Sequence, residues 1–187
     1  MSIDNGSKIV PLTSDHKPEN PEEQKRIEQN GGKVYQNQSQ IPDPSPSNPT
    51  GTQTLIGPYR VFPGRLSVSR TIGDIEAKDE RYGGNPKVVI PTPEIRCFKI
   101  KPNYDYIVIG CDGVFEKLNN TDVCNKVWEA SLQPEDLRIP STVHQRCGSS
   151  IDMLLHECVN EKTLDNITAV IIGFQNYETH VEKSRTT

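Results

Sequence analysis

The feature that most constrains this chain is a strand-like run that ends in an aspartate and a glycine. Residues 106–110 are almost entirely apolar (YIVIG), and Asp112-Gly113 follows one residue later. We interpret the run as a buried strand, because β-branched and aromatic residues favour strands. A carboxylate at the end of a buried strand is costly unless a positive group meets it. The pattern therefore indicates either a metal-binding carboxylate or a simple Asp-Gly turn.

A second aspartate stands in the same kind of position. Asp165 lies just ahead of the apolar run 167–174, which we predict to be the last strand. Two such aspartates, far apart in sequence, can meet only in a fold. Oxygen ligands favour hard cations such as Mg2+ or Mn2+. Asp112 and Asp165 therefore form a candidate carboxylate metal site, although Asp165 could also serve as a turn or cap before its strand.

Composition narrows the class of protein. The chain has 187 residues, of which 33% are apolar, so we expect one domain with a modest core. Its net charge of −4 favours neither nucleic acid nor an anionic membrane as a partner, and no apolar run reaches membrane-helix length. The N-terminus lacks signal-peptide features, and the five cysteines include no Cys-x-x-Cys pair. We expect reduced thiols in a cytoplasmic or nuclear protein that is not secreted.

Glycine, proline and helix-capping residues along the chain predict where its segments, helices and strands begin and end. We expect a domain over 7–175, with a flexible Pro/Ser/Gln-rich insertion at 36–58 and a polar, frayed tail over 176–187. A helix should begin after Asn20, with Pro21 at its first position and Glu23 closing a capping box, and should stop at Gly31-Gly32. Two further helices are expected at 121–130 and 141–161. Strands are predicted at 8–12, from 33, in a hairpin over 59–68 turned at Pro63-Gly64, and at 88–90, 94–100, 106–110 and 167–174. The fold class is α+β, with mostly antiparallel sheets and helices against them.

Six motifs then occur in the order typical of one family. They are SDHKP at 14–18, ExxRIExxGGxV at 23–34, GRLSVSR at 64–70 running into Gly73-Asp74, PTPEI at 91–95, CDGVFE at 111–116 and DNIT at 165–168. On these motifs the chain resembles the metal-dependent serine/threonine protein phosphatases of the PPM class, type 2C. The resemblance spans residues 8–174 and covers about the second half of the family's catalytic domain.

The resemblance implies a β-sandwich flanked by helices, with a binuclear Mg2+ or Mn2+ centre at one end. Asp112 and Asp165 match two of the metal ligands. Asp15 matches an aspartate that helps to hold a weaker third metal, together with Asp112 and the acid at position 116. The implied reaction is hydrolysis of phosphoserine and phosphothreonine in proteins by a metal-activated water, without a covalent intermediate. Phosphoproteins are the implied partners.

Two departures from the family pattern matter. Glu116 replaces the usual aspartate, and its longer side chain could shift or remove the third metal site; it could also be a solvated residue beside Lys117. The DGHGG-type segment, whose aspartate bridges both metals, and an upstream phosphate-gripping arginine are not found in this sequence. Asp15 could likewise form only an Asx-turn ahead of Pro18.

The sequence allows two interpretations for each of three other polar residues. Arg70 and Asp74 could form a buried ion pair that holds a surface flap, or they could contact substrate. His16 could be a general acid, or it could make a structural hydrogen bond within its turn.

Two functions therefore remain in competition. The first is a protein phosphatase. The second is a catalytically dead half-domain, a fragment or pseudophosphatase that acts as a binding module. A half-sandwich would leave sheet faces and edges uncovered, so we expect self-association or poor solubility.

Overall fold

The computed structural model describes residues 1–42, 51–132 and 142–183, which fall into two compact units. One unit combines Met1–Leu12 with Arg96–Thr187, and the other is Thr13–Ile95. The strands are β1 (Ser2–Ile3), β2 (Lys8–Ile9), β3 (Lys33–Pro42), β4 (Thr52–Phe62), β5 (Tyr104–Gly110) and β6 (Ala169–Gly173). The helices are α1 (Pro21–Gln29), α2 (Ile75–Lys78), α3 (Asp112–Phe115), α4 (Asn120–Leu132), α5 (Val143–Asn160) and α6 (Gln175–Lys183), with a 3-10 turn at Glu80–Tyr82.

The first unit is an antiparallel sheet with helices packed against one face. Its strand order is β2-β1-β5-β6, and β5 pairs with β6 from Tyr106–Gly173 to Gly110–Ala169. Tyr106 of β5 is fully buried against α4 and α6. Its ring centroid lies 5.6 Å from that of Trp128 and 5.2 Å from that of Tyr177, and the latter two are 5.3 Å apart. This aromatic cluster anchors the helices to the sheet.

The opposite face of the same two strands is apolar and exposed. Ile109 pairs with Val170, and Ile107 with Ile172, so these four side chains share one face. Ile109, Val170 and Ile172 are 55%, 49% and 44% exposed. We call this surface the open sheet face. It is the kind of apolar patch that soluble proteins normally cover.

A buried carboxylate fixes the N-terminal hairpin, β1 and β2, to β5. Asp105 is fully buried and accepts hydrogen bonds from the Ser2 hydroxyl at 2.8 Å and from the backbone N–H groups of Asn5 and Gly6 at 3.1 Å each. It also accepts from the Asn176 side-chain amide at 2.6 Å. Asp4, Asn5 and Gly6 all have left-handed φ, which turns the two backbone donors toward the carboxylate. Four donors thus replace the water that the charge loses.

The second unit joins α1 to a long β3–β4 hairpin. Ile27 of α1 and Val61 of β4 are fully buried with Val88 and Val89, and Ala77 of α2 completes the cluster. Gly32, just after α1, lies so close to Ile27 and Val88 that a methyl group there would come within 2.8 Å of both side chains. The absence of a side chain at Gly32 therefore lets this small core close.

The predicted α+β class, with antiparallel sheets and helices, is confirmed. Asn20 caps α1 by accepting from the Glu22 N–H at 3.0 Å, and Gly31 ends the helix with φ of 82°. The long helix begins after Thr142, which forms a capping box with Gln145; its expected start at 141 lies outside the described residues. Leu154 and Cys158 lie buried on its predicted apolar face.

Several expected elements differ. The insertion predicted at 36–58 contains strand residues, since 36–42 belongs to β3 and 52–58 to β4, and the two strands pair; 43–50 lies outside the described residues. The expected 59–68 hairpin is reduced to a turn: Val61 exchanges backbone hydrogen bonds with Arg65 and Leu66 across Pro63-Gly64, but the strand partner of β4 is β3. The frayed tail predicted for 176–187 is wrong for 176–183, which lie in α6, where Tyr177 is buried; 184–187 lies outside the description.

Three strand predictions fail or shrink for lack of a partner. Residues 91–100 are irregular and exposed, and in the described part of the chain no strand pairs with them. Residues 88–90 form a turn with one isolated bridge between Arg70 and Ile90. The strand expected over 8–12 is only Lys8–Ile9. Among the described residues, no helix combines the length and the apolar character needed to cross a bilayer.

Candidate metal centre

The antiparallel pairing of β5 and β6 brings the two predicted aspartate segments to the same end of the sheet. β5 ends at Gly110, and Asp112 begins α3 directly beyond it. β6 starts at Ala169, opposite Gly110, and Asp165 precedes it by four residues. The chain leaves one strand where it enters the other, so the two turns are neighbours.

Cys111 joins these two turns through its backbone and its side chain. Its N–H donates to the Thr168 carbonyl at 3.1 Å. Its thiol accepts from the Thr168 N–H at 3.2 Å and donates to the Asn166 carbonyl at 3.1 Å. The residue before Asp112 is thereby tied to the residue after Asp165.

Gly113 brings the turns closer than any other residue type could. A Cβ at this position would stand 2.2 Å from the Asn166 carbonyl oxygen, which is far inside van der Waals contact. Gly113 is buried, whereas Asp112 and Asp165 are exposed. The Asp-Gly sequence thus places an exposed carboxylate next to a tight contact between backbones.

Among the residues that the structure describes, the two carboxylates accept hydrogen bonds from their own neighbours in sequence. One oxygen of Asp112 accepts from the Gly113 N–H at 3.1 Å, and one of Asp165 accepts from the Asn166 N–H at 2.7 Å. These exposed carboxylates are the oxygen donors that Mg2+ and Mn2+ prefer, so their chemistry fits such an ion. Within the described ranges, however, no group of three or more His, Cys, Asp or Glu side chains could hold a metal ion together. Asp112 and Asp165 therefore remain candidate ligands that would fill only part of a coordination shell.

The two further predicted ligands are exposed. Glu116 follows the short helix α3 as its C-cap, one turn beyond Asp112, and its backbone N–H donates to the Asp112 carbonyl at 2.8 Å. Asp15 belongs to the other unit. Their roles as ligands to a third metal remain predictions.

Arg70 has a different partner from the one expected. Its guanidinium binds Glu23, with nitrogen–oxygen distances down to 2.5 Å, and donates to the Thr92 carbonyl at 3.1 Å. The predicted Arg70–Asp74 ion pair is therefore wrong. Asp74 is exposed and has a left-handed φ of 49° ahead of α2. Lys78 holds the turn at 71–74 instead, because its ammonium donates to the carbonyls of Thr71 and Gly73 at 2.6 Å each.

Glu23 is a buried anion at the centre of the second unit. Glu23 is 2% exposed. Its carboxylate accepts hydrogen bonds from Arg70, from Arg26 at 2.8 Å and from the Ser69 hydroxyl at 2.5 Å. Burial by itself would raise the pKa of Glu23, but hydrogen bonds from Arg70, Arg26 and Ser69 lower it to about 2. The expected capping-box role of Glu23 is wrong, because its side chain turns to these donors.

His16 makes a structural contact through its backbone. Its carbonyl accepts from both the N–H and the hydroxyl of Ser69 at 2.8 Å each. Its imidazole Nε2 lies 3.7 Å from a Glu94 oxygen. These contacts favour the structural role for His16 over the role of a general acid.

Sequence reasoning missed the roles of two residues, one in each unit. Cys111 was expected only to be a reduced thiol, although its place directly before Asp112 was a usable signal. Glu23 was assigned to its own helix, and no local pattern could have indicated partners 46 and 47 residues away.

A comparison with family models supplies the family. The model described as "Protein phosphatase 2C" matches residues 1–167. This chain belongs to the protein phosphatase 2C family.

The Paramecium relatives in the protein phosphatase 2C family are about twice as long as this chain. "Probable protein phosphatase 2C 2" of Paramecium tetraurelia is 30% identical over 167 residues, which make up 86% of this chain and 46% of that protein. The chain thus spans about half the length of the curated relatives it matches.

Two solved structures share the fold. A phosphatase from a pathogenic strain of Toxoplasma gondii is 25% identical, with a TM-score of 0.60 over 93% of this chain and 44% of the other. A sex-determining protein of C. elegans is 22% identical, with a TM-score of 0.62 over 93% of this chain and 34% of the other, and this likeness concerns the fold alone.

Proposed function

We propose that this chain provides the Asp112–Asp165 part of the metal centre of a protein serine/threonine phosphatase. The reaction is hydrolysis of phosphoserine or phosphothreonine in a phosphoprotein. The observation that carries the proposal is the joining of two exposed aspartate turns at one end of the β5–β6 ladder, in a chain of the protein phosphatase 2C family.

The chain's own residues would divide the work as follows. Asp112, at the start of α3, and Asp165, ahead of β6, would supply hard oxygen ligands from the edge of a packed sheet. The β5–β6 ladder and the bonds of Cys111 hold these two turns in place. Mg2+ or Mn2+, when bound, supplies a water of lowered pKa and neutralises charge on the phosphate oxygens.

Metal binding is the first test. Titration of the chain with Mn2+, followed by the EPR signal of the free ion, should reveal a site that Asp112→Ala and Asp165→Ala each weaken by more than about 10-fold, since each removes one ligand. Asp152→Ala is the charge-matched control, because Asp152 is an exposed carboxylate on α5. If wild type and Asp112→Ala bind Mn2+ alike, the site assignment is wrong.

The alternative function, a binding module without catalysis, has its own supporting observation. In the described ranges the centre offers fewer than three clustered metal-binding side chains. Release of phosphate from a phosphothreonine peptide in the presence of Mn2+ separates the two functions. Mn2+ binding without phosphate release by the 187-residue chain would favour the binding module for the isolated chain.

A further inference from the structure

We infer that Cys111 is a positioning residue for the metal centre: its thiol fixes the turn that carries Asp112 to the turn that carries Asp165. The inference deepens the proposed function and rests on it. Cys111 is not assigned as a ligand or a nucleophile. Its effect passes through the two carboxylates.

The hydrogen bonds of the thiol carry the argument. The β5–β6 ladder ends at the Gly110–Ala169 pair. Beyond that pair, the Cys111 N–H bonds to the Thr168 carbonyl at 3.1 Å, which is the last backbone bond between the turns. The thiol then accepts from the Thr168 N–H and donates to the Asn166 carbonyl. One side chain thus extends the fixed region by two residues, to the neighbour of Asp165.

Packing fixes the same peptide group from a second side. The Asn166 carbonyl oxygen that receives the thiol proton is also the atom that stands 2.2 Å from a hypothetical Cβ on Gly113. Cys111 and Gly113 flank Asp112 in sequence, and both meet Asn166, which follows Asp165. The neighbours of Asp112 are therefore in direct contact with the neighbour of Asp165, so the two turns should move together.

This arrangement should matter for a divalent ion more than for folding. Two exposed carboxylates repel each other, and holding their turns together before an ion arrives removes the ordering cost from the binding step. Partners that orient ligands change metal affinity by about 10- to 100-fold when they are removed. The thiol lies at the sheet edge with intermediate exposure, so its loss should affect the core little.

The test compares variants of the full 187-residue chain by Mn2+ titration. Cys111→Ala removes both side-chain hydrogen bonds and should weaken Mn2+ binding about 10-fold. Cys111→Ser keeps a donor and an acceptor and should restore affinity to within about 3-fold of wild type. Cys124→Ala is the matched control: it removes a buried thiol from α4 and lowers stability without touching either turn.

A second readout needs no metal. Hydrogen exchange of the Thr168 amide should accelerate about 10-fold in Cys111→Ala, because that amide loses its sulfur acceptor, and should slow again in Cys111→Ser. Unchanged exchange in Cys111→Ala would overturn the inference. Equal loss of Mn2+ affinity in Cys111→Ala and Cys124→Ala would also overturn it, since the effect would then be one of general stability.

The outcomes separate this inference from the proposed function. If Cys111→Ala binds Mn2+ as well as wild type while Asp112→Ala does not, positioning by Cys111 is wrong and the metal site stands. If Asp112→Ala binds as well as wild type, the proposed function fails and the inference fails with it.

Discussion

The Glu23 carboxylate is almost fully buried yet remains ionised at neutral pH. Two guanidinium groups, from Arg26 and Arg70, and one hydroxyl, from Ser69, donate to it. Arg26 also donates to the carbonyls of Lys87 and Val88 at 2.9 Å each. The anion therefore links α1 to two later segments of the second unit, and its charge is required because the guanidiniums would otherwise lie together without a counterion.

Acid should weaken the second unit through this residue. The pKa of Glu23 is lowered from 4.5 to about 2 in the folded state, so its contribution is present above pH 4.5 and is lost as the pH falls toward 2. Glu23→Gln should lower the free energy of unfolding at pH 7 by about 3 kcal/mol and flatten this acid dependence. The protection of backbone amides in 21–29 from hydrogen exchange, compared at several pH values, measures this acid dependence. Glu22→Gln, an exposed neighbour, should behave as wild type; an acid profile unchanged in Glu23→Gln would contradict the assignment.

At the scale of elements, the N-terminal hairpin depends on a strand nearly 100 residues away. β1 and β2 contain only two residues each, which is too short for independent stability. Asp105 of β5 supplies the acceptors for Ser2, Asn5 and Gly6. The hairpin therefore forms only when β5 is in place.

Asp105→Asn should release the hairpin. The new amide nitrogen replaces one of the two carboxylate oxygens, so it faces either the Asn5 or the Gly6 N–H group, and the two opposed donors would cost about 3 kcal/mol. Residues 2–9 should lose protection from hydrogen exchange, while α4 keeps most of its own. Asp152→Asn, on the exposed side of α5, serves as the control. Persisting protection over 2–9 in Asp105→Asn would show that β1–β5 pairing alone holds the hairpin.

Sequence patterns predicted the elements that have a one-sided apolar period. α5 was expected because Leu154 and Cys158 continue a regular apolar face, and β5 because residues 106–110 are almost entirely apolar. Strand residues were predicted from 33 and from 59, but the continuation of β3 and β4 over 36–42 and 52–58 was missed because most residues there are polar and exposed, which leaves no alternation to read. α6 was missed because Tyr177 is its one buried residue in the described range. For the site, the two aspartates were predicted from their positions, whereas the Glu23–Arg70 pair depends on tertiary contact alone.

At the scale of the whole molecule, the open sheet face is the main liability. Exposed isoleucine and valine side chains on two neighbouring strands form a continuous apolar surface. Burial of such a surface is favourable by about 25 cal/mol per Å2. The isolated chain therefore has a driving force to associate with itself.

Light scattering after size exclusion tests this expectation. The wild-type chain should elute as oligomers or aggregate, and the double variant Ile109→Thr, Ile172→Thr should shift at least about half of the material to monomer, because threonine keeps strand preference while removing apolar area. Val159→Thr changes an exposed apolar residue on α5 and should leave the distribution unchanged. A monodisperse wild-type monomer would contradict the expectation.

The aromatic cluster makes the two units optically distinct. Trp128 is the single tryptophan of the chain, and it belongs to the first unit, in contact with Tyr106 and Tyr177. Fluorescence excited at the red edge of indole absorption therefore comes from the first unit. The second unit, whose aromatic residues are tyrosines and phenylalanine, does not absorb at that wavelength. Thermal unfolding followed by tryptophan fluorescence therefore reports on the first unit, whereas circular dichroism of the same sample reports on the secondary structure of both units. The difference between the two melting temperatures measures how strongly the unfolding of one unit is coupled to that of the other.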